Sequence, residues 1–487
     1  MKKKKILIYI PTGLNTPELE ILLSKAQNLI DIKNNVTILT CSGGKNYHCS
    51  KNIYSIKSIC RSCKILRNKG ISKLNGTFKL LTTPTITQIA KKNKNLNYKN
   101  LIKKKYCNFD IGYGVYASYV AITRDMELQS SNAYSVCSKL LNTSEILADY
   151  FKNLLDTEKF NYVVLYNGRM NQYRPLFRMA QNKKINISNM EFRVGNQQTY
   201  DYKNFFSMDL KFLSKKINYF WNKNNKYINH KKLSKFYIDK YRGFVIYMAK
   251  SFIENQNKDL LPKNWNKNKI NIVYYTASND ELISYGKEYN LGFYKDQNDI
   301  LCKLAKSLQK KMFKKYNLWI RMHPNLKGLQ WDFVKDQKKL GKLFKNVFSI
   351  PPESKISSYK LMKKSDIVMA TSSSTTIAEA NFWNKPTITI GPNIWNRTGV
   401  SITPNSHAQL EKMIERILYR KINPKNSLKF AAFCLYGGYK LKYLKRDKNY
   451  NYYFNNYCLK LNKIQKLSYY SAKIIERLIT KIFSKKI

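Results

Sequence analysis

The apolar run Ile6 to Ile10 is stopped at once by Pro11, Thr12 and Gly13; a helical period, TPELEILLSKAQNLIDIK, then leads into a second apolar run, NVTILT. Buried strand, tight turn, helix and second strand in that order make a βαβ unit, which confines the chain to a parallel, doubly wound sheet. Within the helical segment Leu19, Leu22, Leu23, Ala26 and Ile30 recur at three- and four-residue spacings, so one apolar face is expected to lie on that sheet. The run after MKKKK is shorter than the about 7 residues of a signal-peptide core and is read as the first strand. No stretch of about 18 apolar residues occurs, so no membrane span is expected.

The alternation recurs further on. YVVLYNGR (162–169) reads as a buried strand entering a loop, followed by a helix near 174–181 and a strand at INISNME. The aromatic-rich stretches 113–119 and 205–220 are expected to be helical. NQNKDLLPKNWNKNK (255–269) is polar, contains Pro262 and reads as an interdomain linker. Beyond it, INIVYYTAS, LWIRM, NVFSI, DIVMA and PTITI are five strand-like runs separated by helical periods, a second Rossmann-like sheet. The length, 487 residues, suits two domains. The expected division is a first Rossmann-like domain over 1–255, a linker over 256–269, a second over 270–425, and a helical, aromatic, basic tail over 426–487 that returns to the first domain.

Charge is the anomaly of the composition: Lys+Arg 88 against Asp+Glu 30 gives +58. Polyanionic partners would account for it. So would A/T-rich codons, because Lys, Asn, Ile and Tyr are all heavily used and the cations are scattered, as in Lys310, Lys311, Lys314 and Lys315. A nucleic-acid binder stays open as a reading from another class, although no recognition-helix or aromatic-basic motif is present. The nine cysteines are irregularly spread, which fits reduced thiols in a cytoplasmic protein.

Two short segments could carry chemistry. Arg321, Met322, His323 and Pro324 follow the strand NLWI at its carboxyl end, where open α/β sheets bind ligands, and Pro324 stiffens the loop presenting the imidazole. After DIVMA comes TSSSTTIAEA, with hydroxyls from Thr371 to Thr376 at a helix start and Glu379 further in. A helix start offers unpaired N–H groups and partial positive charge, a seat for phosphate, and Glu379 is placed to accept ribose hydroxyls. Simple N-capping would need only one of those hydroxyls.

An HP after one strand and an SS(S/T)T at a helix start about 50 residues later resemble the paired motif of bacterial sialyltransferases, capsular Kdo transferases and glycerophosphate transferases. With NTPELE, LTCSGG, YNGR, YYTASNDE and SSSTTIAEANFWNKPTI, the chain is similar to capsule polysaccharide biosynthesis proteins from residue 5 to about 395. The resemblance implies an α/β GT-B glycosyltransferase whose two Rossmann-like domains face each other across a cleft, with the donor nucleotide on the second. It implies that His323 contacts donor phosphate, with a catalytic role, that Ser372, Ser373, Ser374 and Thr375 hold the phosphates, and that Glu379 holds the ribose; Arg321, beside His323 at the strand end, is a further donor-binding candidate. The partners expected are a nucleotide-sugar donor, CMP- or UDP-linked, and a capsule or lipopolysaccharide glycan, free or lipid-linked. No nucleic acid is expected, and the location is cytoplasmic or peripheral on the inner membrane's anionic face. A nucleotide-sugar 2-epimerase on the same fold is the alternative.

Transfer with inversion needs a general base for the acceptor hydroxyl. Glu18, at the start of the first helix beside Gly13 and Asn15, is the first candidate, with Glu191 and Asp280 behind it. Asn167, Gly168 and Arg169, at a strand's carboxyl end, are candidates for acceptor or interdomain contacts, with Arg169 packing its stem on the sheet edge as the equal alternative. Whether configuration is retained or inverted stays open. No Asp-x-Asp motif is present, so no divalent ion or other cofactor is expected in the reaction. Cys41, Cys49, Cys60 and Cys63 form C-x7-C-x10-C-x2-C, whose last pair has half-site spacing for a structural zinc, while the first is too widely spaced for one; zinc and unligated thiols both stay open.

Overall fold

The computed structural model describes residues 3–14, 17–87, 96–193, 198–243, 253–278, 286–449 and 451–483. The chain is α/β and falls into two compact units. The first is built from residues up to Arg193, from 198 to Ser207 and from Tyr439 onward; the second spans Met208–Gly438.

The first unit holds a sheet of β1 (Lys5–Ile10), β2 (Asn35–Thr40), β3 (Lys79–Thr82), β4 (Tyr162–Tyr166), β5 (Asn186–Arg193) and β6 (Gln198–Asp201). Its order is β3-β2-β1-β4-β5-β6, parallel throughout except for β6, which runs antiparallel to β5. Helices α1 (Glu18–Asp31), α2 (Lys57–Ile71), α3 (Tyr98–Lys103), α4 (Ile111–Thr123), α5 (Ala133–Glu158) and α6 (Arg174–Asn182) complete it. Leu19, Leu22, Leu23, Ala26 and Ile30 of α1 pack with Ile6, Ile8 and Ile38, so the expected apolar face is the one buried. Gly13 lets α2 approach the turn after β1, since a Cβ there would sit 2.4 Å from the Cys63 carbonyl oxygen.

The second unit begins earlier than expected. Helices α7 (Leu210–Asn224) and α8 (His230–Arg242) belong to it, although the sequence reading ended the first domain at 255. They pack on the helix Lys425–Tyr436: Tyr237 is buried and donates 2.7 Å to the Ser427 carbonyl, and Phe220 meets Phe433 edge to face at 6.3 Å. The stretch 256–269 is likewise part of this unit and not a free linker. Trp265 lies against Trp319 at 5.1 Å, and Asn257 N donates 2.8 Å to the Lys355 carbonyl. Polar composition suggested a linker, and one aromatic anchor overrides it.

The sheet of this unit comprises β7 (Ile270–Tyr275), β8 (Tyr316–Arg321), β9 (Val347–Ile350), β10 (Ile367–Thr371) and β11 (Thr387–Ile390), all parallel in the order β11-β10-β7-β8-β9. These are the five expected strands. Helices α9 (Gln297–Ser307), α10 (Asp332–Leu343), α11 (Ser358–Lys364), α12 (Thr375–Phe382), α13 (Trp395–Thr398), α14 (His407–Arg416) and α15 (Lys425–Tyr436) surround it. Alternating burial is absent from the strands: β8 and β10 are buried at every position, as two-sided helix cover requires.

The tail is mixed rather than purely helical. From Tyr439 the chain belongs to the first unit, where β12 (Leu444–Arg446), β13 (Tyr452–Phe454) and β14 (Tyr457–Cys458) form a small antiparallel sheet. Tyr452, Phe454 and Leu459 join the core around α1, and Tyr443 N donates 3.2 Å to Ser24 Oγ. The long helix α16 (Lys463–Phe483) ends the described chain.

Candidate functional site

In the second unit β8 and β9 are laid down on one side of β7 and β10 and β11 on the other, so the sheet's switch point lies between β7 and β10. Ligands of open α/β sheets bind in the crevice beyond the carboxyl ends of the strands at such a point. The segment that leaves β10 there is the hydroxyl run. Ser372 adopts φ +54°, and its N donates 2.9 Å to the Ile390 carbonyl, which turns the chain sharply into α12. Ser374 occupies the N-cap position without a side-chain capping bond, so capping does not explain the hydroxyls. Ser373 Oγ accepts from Ile394 N at 3.2 Å, and Thr375 Oγ1 accepts from Lys240 Nζ at 3.1 Å. A helix start, several hydroxyls and one ammonium are thus gathered at the switch point, a combination suited to an anion.

His323 follows β8, on the far side of β7 from β10. Its backbone N donates 2.9 Å to Thr276 Oγ1, just past β7, and its Nδ1 accepts from Asn325 N at 3.1 Å. With Nδ1 occupied as an acceptor, the neutral ring carries its proton on Nε2. His323 and the hydroxyl turn therefore leave the carboxyl end of one sheet from strands with only β7 between them, whose axes are about 10 Å apart at about 4.8 Å per strand. Gln297, at the start of α9, ties this edge together: its Oε1 accepts from Ala277 N at 2.8 Å and from Thr371 Oγ1 at 3.1 Å.

Two expected donor contacts stand elsewhere. Arg321 is buried and spends its guanidinium on the loop after β9, with Nη1 donating 2.7 Å to the Pro351 carbonyl and Nε 3.2 Å to Ser358 Oγ. Burial lowers its pKa, and its role in this geometry is to hold that loop. Glu379 is also buried; Oε1 pairs with Lys240 Nζ and Oε2 accepts 2.5 Å from Tyr359 OH. A ribose would reach it only by displacing one of them. Lys240, Tyr359, Thr276 and Gln297 were not singled out from the sequence, because they come from segments 20 to 139 residues from their partners, as Lys240 and Glu379 show at the far end of that span.

In the first unit Glu18 opens α1 fully buried, its Oε1 accepting from Tyr173 OH. A base must touch the proton it removes, and this carboxylate is covered. Glu191 is only half-buried, past the end of β4 on β5, and accepts 2.8 Å from Tyr166 OH and 2.7 Å from Asn167 Nδ2. Asn167 holds φ +60° and Gly168 φ +78°, a turn that aims the amide at Glu191; Arg169 follows it, half-buried. Asp280 lies outside the described residues. Cys60 and Cys63 sit on one side of α2, Cys63 Sγ accepting from Gly13 N at 3.1 Å and Cys60 Sγ from Asn52 Nδ2 at 3.1 Å, while Cys41 Sγ accepts from Gly43 N at 3.1 Å. Burial pushes the Cys41 thiol up to about 11 and raises that of Cys49 as well. Among the described residues no three Cys, His, Asp or Glu side chains are arranged to hold one metal ion.

Residues 184–423 match the family described as capsule polysaccharide biosynthesis protein. No curated protein matches the chain. Among solved structures, the chain is similar to the β-Kdo 2,4 transferase KpsC of Thermosulfurimonas dismutans at 11% identity, covering 56% of this chain and 79% of that one with a TM-score of 0.33. It is also similar to a UDP-GlcNAc 2-epimerase from Neisseria meningitidis bound to UDP-GlcNAc, at 12% identity, 88% and 97% coverage and a TM-score of 0.28.

Proposed function

Starting from a chain that belongs, over residues 184–423, to the capsule polysaccharide biosynthesis proteins, we propose that it is a glycosyltransferase using a CMP- or UDP-linked sugar and a surface-glycan acceptor. The observation that carries this reading is the uncapped hydroxyl turn Ser372–Thr375 at the switch point of the second sheet, with His323 one strand beyond. Donor phosphate bound there accepts from the helix-start N–H groups, from the hydroxyls and from His323 Nε2. The same donors stabilise the nucleotide as it departs and gathers negative charge. Glu191, partly exposed and already oriented by Asn167, is the carboxylate of the first unit we assign as general base, in place of Glu18.

The test is turnover of purified full-length protein with a panel of nucleotide sugars and oligosaccharide acceptors, read by nucleotide release and by product structure. Donor-dependent glycan extension by the wild type, lost in His323→Ala, is expected. Conversion of the donor sugar to its 2-epimer without extension would replace this reading by the epimerase.

A further inference from the structure

Helix α16 has two opposed faces. One packs on the first unit: Ala472 and Glu476 are buried, Tyr54 OH meets Thr480 Oγ1 at 3.2 Å, and the Phe483 carbonyl accepts from Ser130 Oγ at 3.0 Å and Ser131 N at 3.3 Å. The other carries Ile464, Leu467, Ile474, Ile475, Leu478 and Ile482, all at least half exposed, with Tyr470 among them. Their spacings of three, seven, one, three and four residues place them along a single stripe. An apolar stripe of this length is costly to leave in water and marks a surface that is covered in use.

Charge selects what covers it. Lys463, Lys466, Lys473, Arg477 and Lys481 lie on the same helix, and its one acid, Glu476, is buried and paired with Lys473. The outward half of the helix is therefore apolar with a purely cationic flank. No described helix is long and apolar enough to cross a membrane, so α16 is suited to lying in a bilayer interface and not to spanning it. We infer that α16 docks the chain in plane on an anionic lipid bilayer, the stripe entering the acyl boundary while the lysines and Arg477 meet the headgroups. This goes beyond the donor site and does not depend on it, although it deepens the proposed function by bringing the enzyme to a lipid-carried acceptor.

The test is co-sedimentation of the full-length protein with vesicles of phosphatidylcholine alone or with phosphatidylglycerol, comparing the wild type with a Leu467→Ser, Ile474→Ser, Leu478→Ser variant. All three positions are exposed, and circular dichroism with a thermal melt checks that the variant is folded. Wild type is expected on the anionic vesicles, with binding weakened by about 100-fold in the variant and reduced by salt. A Lys463→Glu, Lys466→Glu, Lys481→Glu variant is expected to lose the preference for phosphatidylglycerol. Absence of wild-type binding, or equal binding by the serine variant, overturns the inference; the second would mean that diffuse charge suffices. Sedimentation velocity on both proteins supplies the other outcome: if the serine variant turns a dimer into a monomer without changing vesicle binding, the stripe is a contact between copies. None of these readouts needs a nucleotide, so failure here leaves the transferase assay unaffected.

Discussion

Glu20 is 2% exposed, its Oε2 meets no hydrogen-bond partner among the described residues, and burial raises its carboxyl from 4.5 to about 7, with the neighbouring Glu18 adding to the rise. The folded state thus holds this proton more tightly than the unfolded state. Stability is expected to fall as pH rises from about 4.5 to about 7 and to be level above that, by roughly 3 kcal/mol at most. Glu20→Gln should remove that slope and raise the melting temperature at pH 8, whereas parallel pH curves for the two proteins would contradict the assignment. Asp110 has the opposite sign: burial opposes its ionisation, but Arg174 and Arg178 overcome this and hold its carboxyl at about 2. Asp110→Ala leaves the fully buried Arg174 without this counter-charge and should cost about 3–5 kcal/mol in a denaturant titration. At this scale the sequence was most informative where a site is local. His323 and the 372–375 run sit at strand ends and could be named from position alone. Arg321 reads as a ligand because a cation beside a phosphate motif suggests one, while the carbonyl to which it donates, that of Pro351, is 30 residues away.

Among the elements, the turn into α12 combines a functional requirement with a conformational cost. Ser372, buried and at φ +54°, is in the region that costs a side-chain-bearing residue about 1–2 kcal/mol. Ser372→Gly should be tolerated or slightly stabilising, and Ser372→Val should lower stability by about 1–3 kcal/mol, as read by thermal melting. Equal melts for both would mean that the turn is not held as described. The strands were legible because two-sided burial makes them continuous apolar runs bounded by turns. Helices α7 and α8 were expected as helix only in part, and their membership of the second unit could not be read, since it rests on side-chain matches such as Tyr237 on Phe382, stacked at 4.6 Å. The small sheet β12–β14 escaped notice because its strands have two or three residues, too few for a period to show.

For the whole molecule, the α/β class and the two Rossmann-like sheets followed from the alternation, whereas the division at residue 255 did not, because composition marks polarity and Trp265 supplies packing. A fragment of residues 208–438 is accordingly expected to fold and bind nucleotide, while 270–425, without Lys240 and Trp265, is expected to be unstable; the reverse result in paired expression and melting experiments would restore the later boundary. The net charge of +58 assigns no function by itself. The central claim is that donor phosphate sits on the start of α12, and the measurement that reaches it most directly is calorimetric titration of CMP, CDP and UDP into wild-type and Ser374→Glu protein. A glutamate at that helix start favours the helix by about 0.3–1 kcal/mol but occupies the anion's place with like charge. The account predicts that one nucleotide binds the wild type and that Ser374→Glu, with an equal or higher melting temperature, loses that binding by at least about tenfold, roughly 1.4 kcal/mol. Unchanged affinity in Ser374→Glu would contradict it.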